Sequence, residues 1–448
     1  MSGLARSLAL SSAAALLVAA PVPAFAAQQA PGCRDTGRAV RYLVVLDRGT
    51  TSHDADSQVR VACGQPTNYY PQISVGVAQS TDPDFAVRFG TGRVFSAQEI
   101  LRAKPIAAQG VRGANRTGEQ WDMAMIGAPG HRGSANVVVG VLDSGIDATH
   151  PDLAGAVDRG DSAGCLTGAP DPSPAAWAPT RSAHGTHVAG IIAAIDDGAG
   201  ITGVAPGVQV ASVKVIDDRG YVTPEAAVCG LMWAAARRMP VVNTSFAIDP
   251  WGVPCSRRAG YEVVHEAVAR AVDYATTHGT LDVTAATNEA VNLTPSPRPG
   301  VSPQGCEELP AGVHEAVTVS ATGRNRVKAG YSSYGLGVVD LTAPGGDGKD
   351  CVLSTVPGGY APMCGTSMAA PHVTGVAALV ASAHPEFSAT QLRGALDRGA
   401  RTMPCPDDYD LTGDGRQDAF CAGYSGYNGF YGHGMVDAPG ALSAAAGE

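Results

Sequence analysis

The 448-residue chain carries 31 Lys+Arg against 41 Asp+Glu, a formal net charge of −10, with 45% hydrophobic and 16% charged residues. That apolar share suits a globular protein and excludes a disordered one, and the acidic balance argues against a nucleic-acid or anionic-membrane partner, which calls for Lys/Arg patches. Glycine (56) and proline (31) stay below a low-complexity composition and belong in turns, while the length suits one large domain plus a smaller one.

The first residues read as an export signal. Arg6 gives a positive start, residues 8–20 are mostly apolar, and Ala24-Phe25-Ala26 offers the small residues of a cleavage site. A membrane span needs about 20 apolar residues, so residues 1–26 are expected to be a signal peptide cleaved near Ala26, with no membrane span and a secreted, extracellular product. Ten cysteines fit that destination, and none lies in C-x-x-C spacing, which leaves zinc-knuckle and thioredoxin-like readings without support. Connectivity cannot be read from sequence. Pairing neighbours gives the expectation Cys33–Cys63, Cys165–Cys229, Cys255–Cys306, Cys351–Cys364 and Cys405–Cys421.

Charge is segregated along the chain. Residues 1–116 hold 12 basic and 7 acidic side chains, a net +5, and the remainder carries −15. A basic N-terminal piece docking on an acidic body is one reading, and chance segregation is the other. Strands are predicted at 41–46 and 73–77. The polar, Gly-containing, basic stretch 102–117 has the texture of an exposed linker and a domain boundary.

From residue 137 onward short apolar runs alternate with helical patterns. Strands are predicted at 137–143, 208–216, 241–246, 281–287, 316–321 and 338–343, and helices at 184–195, 224–238, 262–278, 367–383 and 389–396. Thr223-Pro224 gives an N-cap followed by proline at the first helical position, Ser388 and Gln391 have capping-box spacing, and Gly279 follows the third helix. Continuously apolar strands between helices predict an α/β fold, a mainly parallel central sheet with helices on both faces. In such sheets the working site lies beyond the carboxyl ends of the strands.

Three segments place chemistry there. Val-Leu-Asp143-Ser-Gly145-Ile-Asp147 ends a buried strand in an acid. His184-Gly-Thr-His187-Val-Ala-Gly190 opens a helix with a histidine. Gly365-Thr-Ser367-Met-Ala-Ala-Pro371-His372 starts a helix with a serine near the positive end of its dipole. A serine hydroxyl is a weak nucleophile that needs a base, histidine titrates near the working pH, and a buried carboxylate fixes the imidazole tautomer and stabilises the imidazolium. Oxyanion donors would be the Ser367 N–H and a side-chain amide such as Asn288, directly after the 281–287 strand.

The blocks VLDSGID at 141–147, HGTHVAG at 184–190 and GTSMAAPHV at 365–373, in the order Asp, His, Ser, resemble the subtilisin-like serine proteases, or subtilases. The likeness covers about residues 120–400. It implies an endopeptidase that needs no cofactor for its chemistry and acts on polypeptide substrates. Asp143 would orient, His184 act as base and acid, Ser367 attack, and Asn288 serve the oxyanion. The serine context lacks the G-x-S-x-G elbow of α/β-hydrolases. Residues 27–116 resemble the family's propeptide, a small α+β domain that inhibits its own enzyme, so 117–448 would be the peptidase domain, expected as a monomer. A catalytically inactive binding protein on the same fold is the alternative.

Departures from the family pattern bear on specificity. Ser-Leu-Gly beside the substrate cleft is here Ser245-Phe246-Ala247, with Phe246 expected to narrow the subsites, and Ala-Ala-Gly-Asn is here Ala285-Ala-Thr287-Asn288. Asp147 is a rival acid to Asp143, which is favoured because it ends the apolar run. His187 and His372 are expected to be packed and hydrogen-bonded. Asp410, Thr412, Asp414 and Asp418 have the alternation of a calcium loop, with an acidic turn stapled by Cys405–Cys421 as the plainer reading. The Pro/Gly-rich stretch 292–308 reads as a surface loop or a substrate-contacting insertion.

Overall fold

The computed structural model describes residues 32–98, 115–249, 260–295 and 308–447. The expected signal peptide, nearly all of the 102–117 linker and the Cys255–Cys306 pair lie outside the described residues. The other four expected disulfides are present: Cys33–Cys63, Cys165–Cys229, Cys351–Cys364 and Cys405–Cys421.

The N-terminal unit contains β1 (Val40–Val45), α1 (Ser52–Val61), β2 (Gln65–Tyr70), β3 (Val75–Ser80), α2 (Phe85–Phe89) and β4 (Val94–Phe95), with the sheet in the order β2-β3-β1-β4. Side chains alternate along a strand. In β1, Tyr42 and Val44 therefore pack with Val59 and Phe85 of the unit's own helices, while Leu43 and Val45 face the rest of the protein. A strand apolar on both faces, as the 41–46 run is, needs a partner on each side.

The body begins with α3 (Trp121–Met125), β5 (Val138–Asp143), β6 (Ala163–Gly164), α4 (Pro174–Trp177) and α5 (His184–Ala193). It continues through β7 (Gln209–Lys214), α6 (Pro224–Ala236), β8 (Val241–Thr244), α7 (Tyr261–Thr277), β9 (Leu281–Ala285), β10 (Val317–Thr322) and β11 (Leu341–Pro344). The hairpin β12 (Val352–Val356) and β13 (Gly359–Met363) leads into α8 (Thr366–Ala383) and α9 (Ala389–Gly399). After the short β14 (Gly423–Tyr424) and β15 (Tyr427–Asn428), α10 (Ala438–Ala445) closes the chain.

The central sheet has seven strands in the order β11-β10-β9-β8-β5-β7-β6, and every pairing is parallel. One apolar cluster joins the inward residues of β5, β9 and β10 to α5 and α8, and a second joins the opposite sheet face to α6 and α7. This is the doubly covered α/β sheet expected, and all five predicted helices are present with ends within a few residues. The Ser388–Gln391 capping box forms, whereas Thr223 makes no side-chain cap and Pro224 alone marks the start of α6. The two-residue β6 and the β12–β13 hairpin were not predicted, the first being too short to show a pattern.

The N-terminal unit lies on α6 and α7. Leu43, Val45, Ile73, Val75 and Phe95 share one apolar cluster with Val263, Val264 and Ala226. The Arg270 guanidinium donates to the carbonyls of Leu46 and Ile73 at 3.0 Å each. Arg41 lies 3.8 Å from Glu225, Arg48 lies 3.9 Å from Glu266, and Asn68 and Tyr70 both donate to the Gly168 carbonyl at 2.9 Å. Two of these contacts run from basic unit to acidic body, in the sense of the charge contrast.

Candidate active site

Strand β5 ends at Asp143, which is fully buried. Its Oδ1 accepts the Ser144 N–H at 2.7 Å, and both its oxygens lie 2.9 Å from His184 Nδ1. His184 opens α5, and the glycine after it lets that helix approach: a Cβ on Gly185 would stand 2.6 Å from the Gly145 carbonyl and 3.1 Å from the Asp143 side chain. Gly190, one and a half turns on, abuts Ser354 and Thr355 of β12 with no room for a Cβ. Burial disfavours the imidazolium, but the charge and hydrogen bonds of Asp143 outweigh it, so the His184 pKa is raised above its ordinary value. With Nδ1–H committed to the carboxylate, Nε2 is the free basic position.

Ser367 lies in the first turn of α8, which packs against α5. Its hydroxyl donates to the Ser245 carbonyl at 3.1 Å, and Ser245 Oγ donates back to the Ser367 carbonyl at 3.0 Å. Among the described residues it makes no hydrogen bond to His184.

Asn288 follows β9. Its Oδ1 accepts from the Thr366 N–H at 2.9 Å and the Thr366 hydroxyl at 3.0 Å, which fixes the amide and leaves Nδ2 outward. A Cβ on Gly365 would stand 3.4 Å from Asn288 Nδ2 and 3.7 Å from Ser367 N. The two donors therefore border one small space that glycine leaves open, and the Ser367 N–H, in the first turn of its helix, has no intrahelical partner. The residue before, Thr287, adopts φ +75°. That left-handed conformation favours glycine, which the family pattern has here. Thr287 holds it with its hydroxyl 2.9 Å from Ser333 Oγ and its carbonyl accepting the Ser333 N–H at 3.0 Å.

Asp147 stands apart: its Oδ1 accepts from the backbone and hydroxyl of Thr149 and makes no bond to His184. His187 is packed, with Nε2 donating to the Ala361 carbonyl at 3.0 Å, and burial lowers its pKa to about 3 so that it stays neutral. His372 is buried within α8, bonded to the Met368 carbonyl at 2.8 Å and to Asp122 at 3.0 Å. Ser245 belongs to a buried polar chain in which Thr374 donates to Asn243 and Asn243 to Ser245. Sequence reading missed Asn243 and Thr366, which differ in no visible way from ordinary strand and helix residues.

Phe246 is 9% exposed and belongs to the same buried apolar cluster as Ile248 and Leu309. In the loop of Asp410, Thr412, Asp414 and Asp418, Asp410 accepts from the amides of Gly413, Asp414 and Gly415, and Asp418 from those of Leu411 and Thr412. These bonds brace the loop from within, beside the Cys405–Cys421 bridge. Among the described residues, the one set of three convergent metal-type ligands is Cys33, Cys63 and Asp82, whose sulfurs are already joined.

A buried carboxylate, an imidazole and a helix-start serine, with two N–H donors around one gap, are the parts of a serine protease site on an α/β sheet. Residues 134–434 match the model of the subtilase family, and the chain belongs to that family. It is 35% identical to subtilisin DY of Bacillus licheniformis over 62% of this chain and 87% of that protein. It is 37% identical to subtilisin Savinase of Lederbergia lenta over 63% of this chain and 91% of the other. Among solved structures, an epidermin leader peptide processing serine protease from Staphylococcus aureus aligns with TM-score 0.67 at 21% identity. That alignment covers 91% of this chain and 98% of the other, so the shared fold takes in the N-terminal unit as well as the body. The protein is a serine-type endopeptidase, and its family needs no cofactor for catalysis.

Proposed function

We propose that the chain is a secreted endopeptidase made as a zymogen, hydrolysing polypeptides through an acyl-enzyme on Ser367. The observation that carries this reading is the His184 imidazole held by both Asp143 oxygens at 2.9 Å, at the sheet edge where α5 and α8 begin. Ser367 Oγ leaves the Ser245 carbonyl for His184 Nε2, gives up its proton and attacks the substrate carbonyl. Asn288 Nδ2 and the Ser367 N–H stabilise the oxyanion. His184 then protonates the leaving amine, and a water activated by the same imidazole releases the product. Asp143 keeps the imidazole in the tautomer with Nε2 free.

In this reading residues 1–26 direct export and 27–116 form the propeptide, an intramolecular inhibitor seated on α6 and α7. Cleavage in the polar stretch between Ala103 and Thr117 frees the peptidase domain 117–448, which acts as a monomer. No metal is assigned to the 410–418 loop. Among the described residues no helix is long and apolar enough to cross a membrane.

Ser367→Ala tests the reading. The variant is expected to lose peptidase activity to background and to retain residues 27–116, while the wild type yields a new N-terminus between 103 and 117. Wild-type-like activity in the variant, or active protein beginning at Ala27, would overturn it. Labelling of Ser367 by a fluorophosphonate separates an enzyme from an inactive binding protein on this fold.

A further inference from the structure

The proposed mechanism makes no use of the Cys351–Cys364 disulfide, whose second cysteine lies three residues before Ser367. The two cysteines stand one residue outside the end pair of the β12–β13 hairpin, Val352 opposite Met363. Strand pairing already holds these ends together, and the sequence separation of 13 is the shortest of the four described bridges. Stabilisation through the unfolded state grows with the loop that a bridge closes, so this bridge contributes least in that way. Its position points to another role.

The hairpin is tied to both helices that open at the site. Toward α5, Ser354 Oγ donates to the His187 carbonyl and Thr355 Oγ1 to the Thr186 carbonyl, each at 2.7 Å, and His187 Nε2 donates to the Ala361 carbonyl at 3.0 Å. Both strands are thus bonded to the first turn of the helix that begins with His184. Toward α8, β13 runs through Cys364 into Gly365, Thr366 and Ser367. Cys364 Sγ accepts the Gly348 N–H at 3.2 Å, and a Cβ on Gly346 would stand 2.5 Å from that sulfur. The Gly345 carbonyl accepts the Gly365 N–H at 3.0 Å, and the Tyr331 hydroxyl lies 2.9 and 2.7 Å from the Gly345 and Gly346 carbonyls. The sulfur is therefore wedged against the segment that also holds the backbone two residues before the nucleophile.

Resting on the reading of Ser367 as nucleophile and His184 as base, we propose that the Cys351–Cys364 bridge positions the reacting groups. It closes the β12–β13 hairpin into a strut between α5 and α8 and so fixes where Ser367 stands relative to His184. A displacement of 1 Å at a reacting atom costs up to about 100-fold in rate. With the bridge open, strand pairing keeps the fold, while residues 364–366 gain freedom to carry Ser367 off that geometry. The loss falls on the chemical step and not on substrate binding.

The test compares two double variants of the processed enzyme that open loops of similar size: Cys351→Ser/Cys364→Ser, separation 13, and Cys405→Ser/Cys421→Ser, separation 16. Active sites are counted by fluorophosphonate titration taken to completion, so misfolded protein does not enter the rates. Both variants are expected to lose thermal midpoint alike. Only the first is expected to lose kcat, by ~10-fold with KM held within about twofold, and to react ~10-fold more slowly with the fluorophosphonate. Should the first variant fail to mature, the processed wild type is opened with a phosphine reductant. Its kcat is expected to fall ~10-fold as the Cys364 thiol appears by mass spectrometry and to return on reoxidation. The Cys405→Ser/Cys421→Ser enzyme should respond to the reductant in the same way. An unchanged kcat with the bridge open, or an equal loss of kcat in the two variants, overturns the positioning role and leaves the serine-protease reading standing. A wild type that neither labels nor cleaves overturns both.

Discussion

Thr287 shows what one residue contributes and what a sequence hides. Its place in Ala-Ala-Thr-Asn is visible as a departure from the family's glycine, but the reason for the glycine is a φ of +75°, which only the fold reveals. A β-branched residue in the left-handed region costs about 1–2 kcal/mol, and here the hydroxyl bond to Ser333 and the Ser333 N–H offset it. Thr287→Val keeps the shape and the strain but deletes the bond. It is expected to lower unfolding free energy by about 1–3 kcal/mol, read as a lower urea midpoint at unchanged slope. Thr287→Gly should cost less, because glycine takes this φ without strain. An unchanged urea midpoint in Thr287→Val would show that the hydroxyl bond contributes nothing, and equal losses in the two variants would show that the left-handed backbone carries no strain. Asp143, His184 and Ser367, the proposed triad, stand out in the sequence because each carries chemistry within a dense local motif. Thr366 and Asn243, which hold Asn288 and Ser245 in place, do not, since a threonine in a helix and an asparagine in a strand acquire those roles only from partners 78 and 131 residues away.

At the scale of elements, period and punctuation located the helices because each amphipathic or small-residue run is long enough to average over local exceptions. Strand ends were less legible. The run 241–246 reads as one strand, yet β8 stops at Thr244, and the residues after it leave the sheet ladder to bond Ser367 instead. A site at a sheet edge takes residues out of the very pattern that predicts strands. Helix α7 carries a further role that its own periodicity does not announce. Arg270, on the face toward β1, is buried and spans to the carbonyls of Leu46 and Ile73 while bonding Glu266 at 2.8 Å. In the unprocessed Ser367→Ala background, Arg270→Ala leaves both carbonyls without their charged donor, a loss of about 2–3 kcal/mol. Amide exchange in β1 and β3 is expected to quicken by ~30- to 100-fold, while β5 and β9 exchange as before. Exchange that rises equally throughout would mean the arginine supports the body and not the seating of the N-terminal unit.

At the scale of the whole molecule, Lys328 ties the segment after β10 to Tyr409 and Phe430 of the C-terminal region. Its ammonium donates to the carbonyls of Ala329 at 3.0 Å and Ser332 at 2.6 Å and lies 5.1, 5.1 and 5.4 Å from the rings of Tyr334, Tyr409 and Phe430. Tyr409 in turn donates to the Lys328 carbonyl at 2.9 Å. Burial lowers the Lys328 pKa from 10.5 to about 7. Between pH 7 and 10 the unfolded chain therefore binds a proton that the folded chain has released, and this residue makes stability rise with pH across that window. Below about pH 7 both states hold the proton and the contribution is flat. The full span amounts to something on the order of 4 kcal/mol. Lys328→Met keeps the bulk among the three rings and removes the titration. Thermal midpoints of the two proteins measured from pH 6 to 10 are expected to run parallel below pH 7, after which the variant's curve should climb less steeply. Parallel curves to pH 10 would show that the ammonium keeps its charge inside the folded protein, held by the rings and carbonyls against the cost of burial.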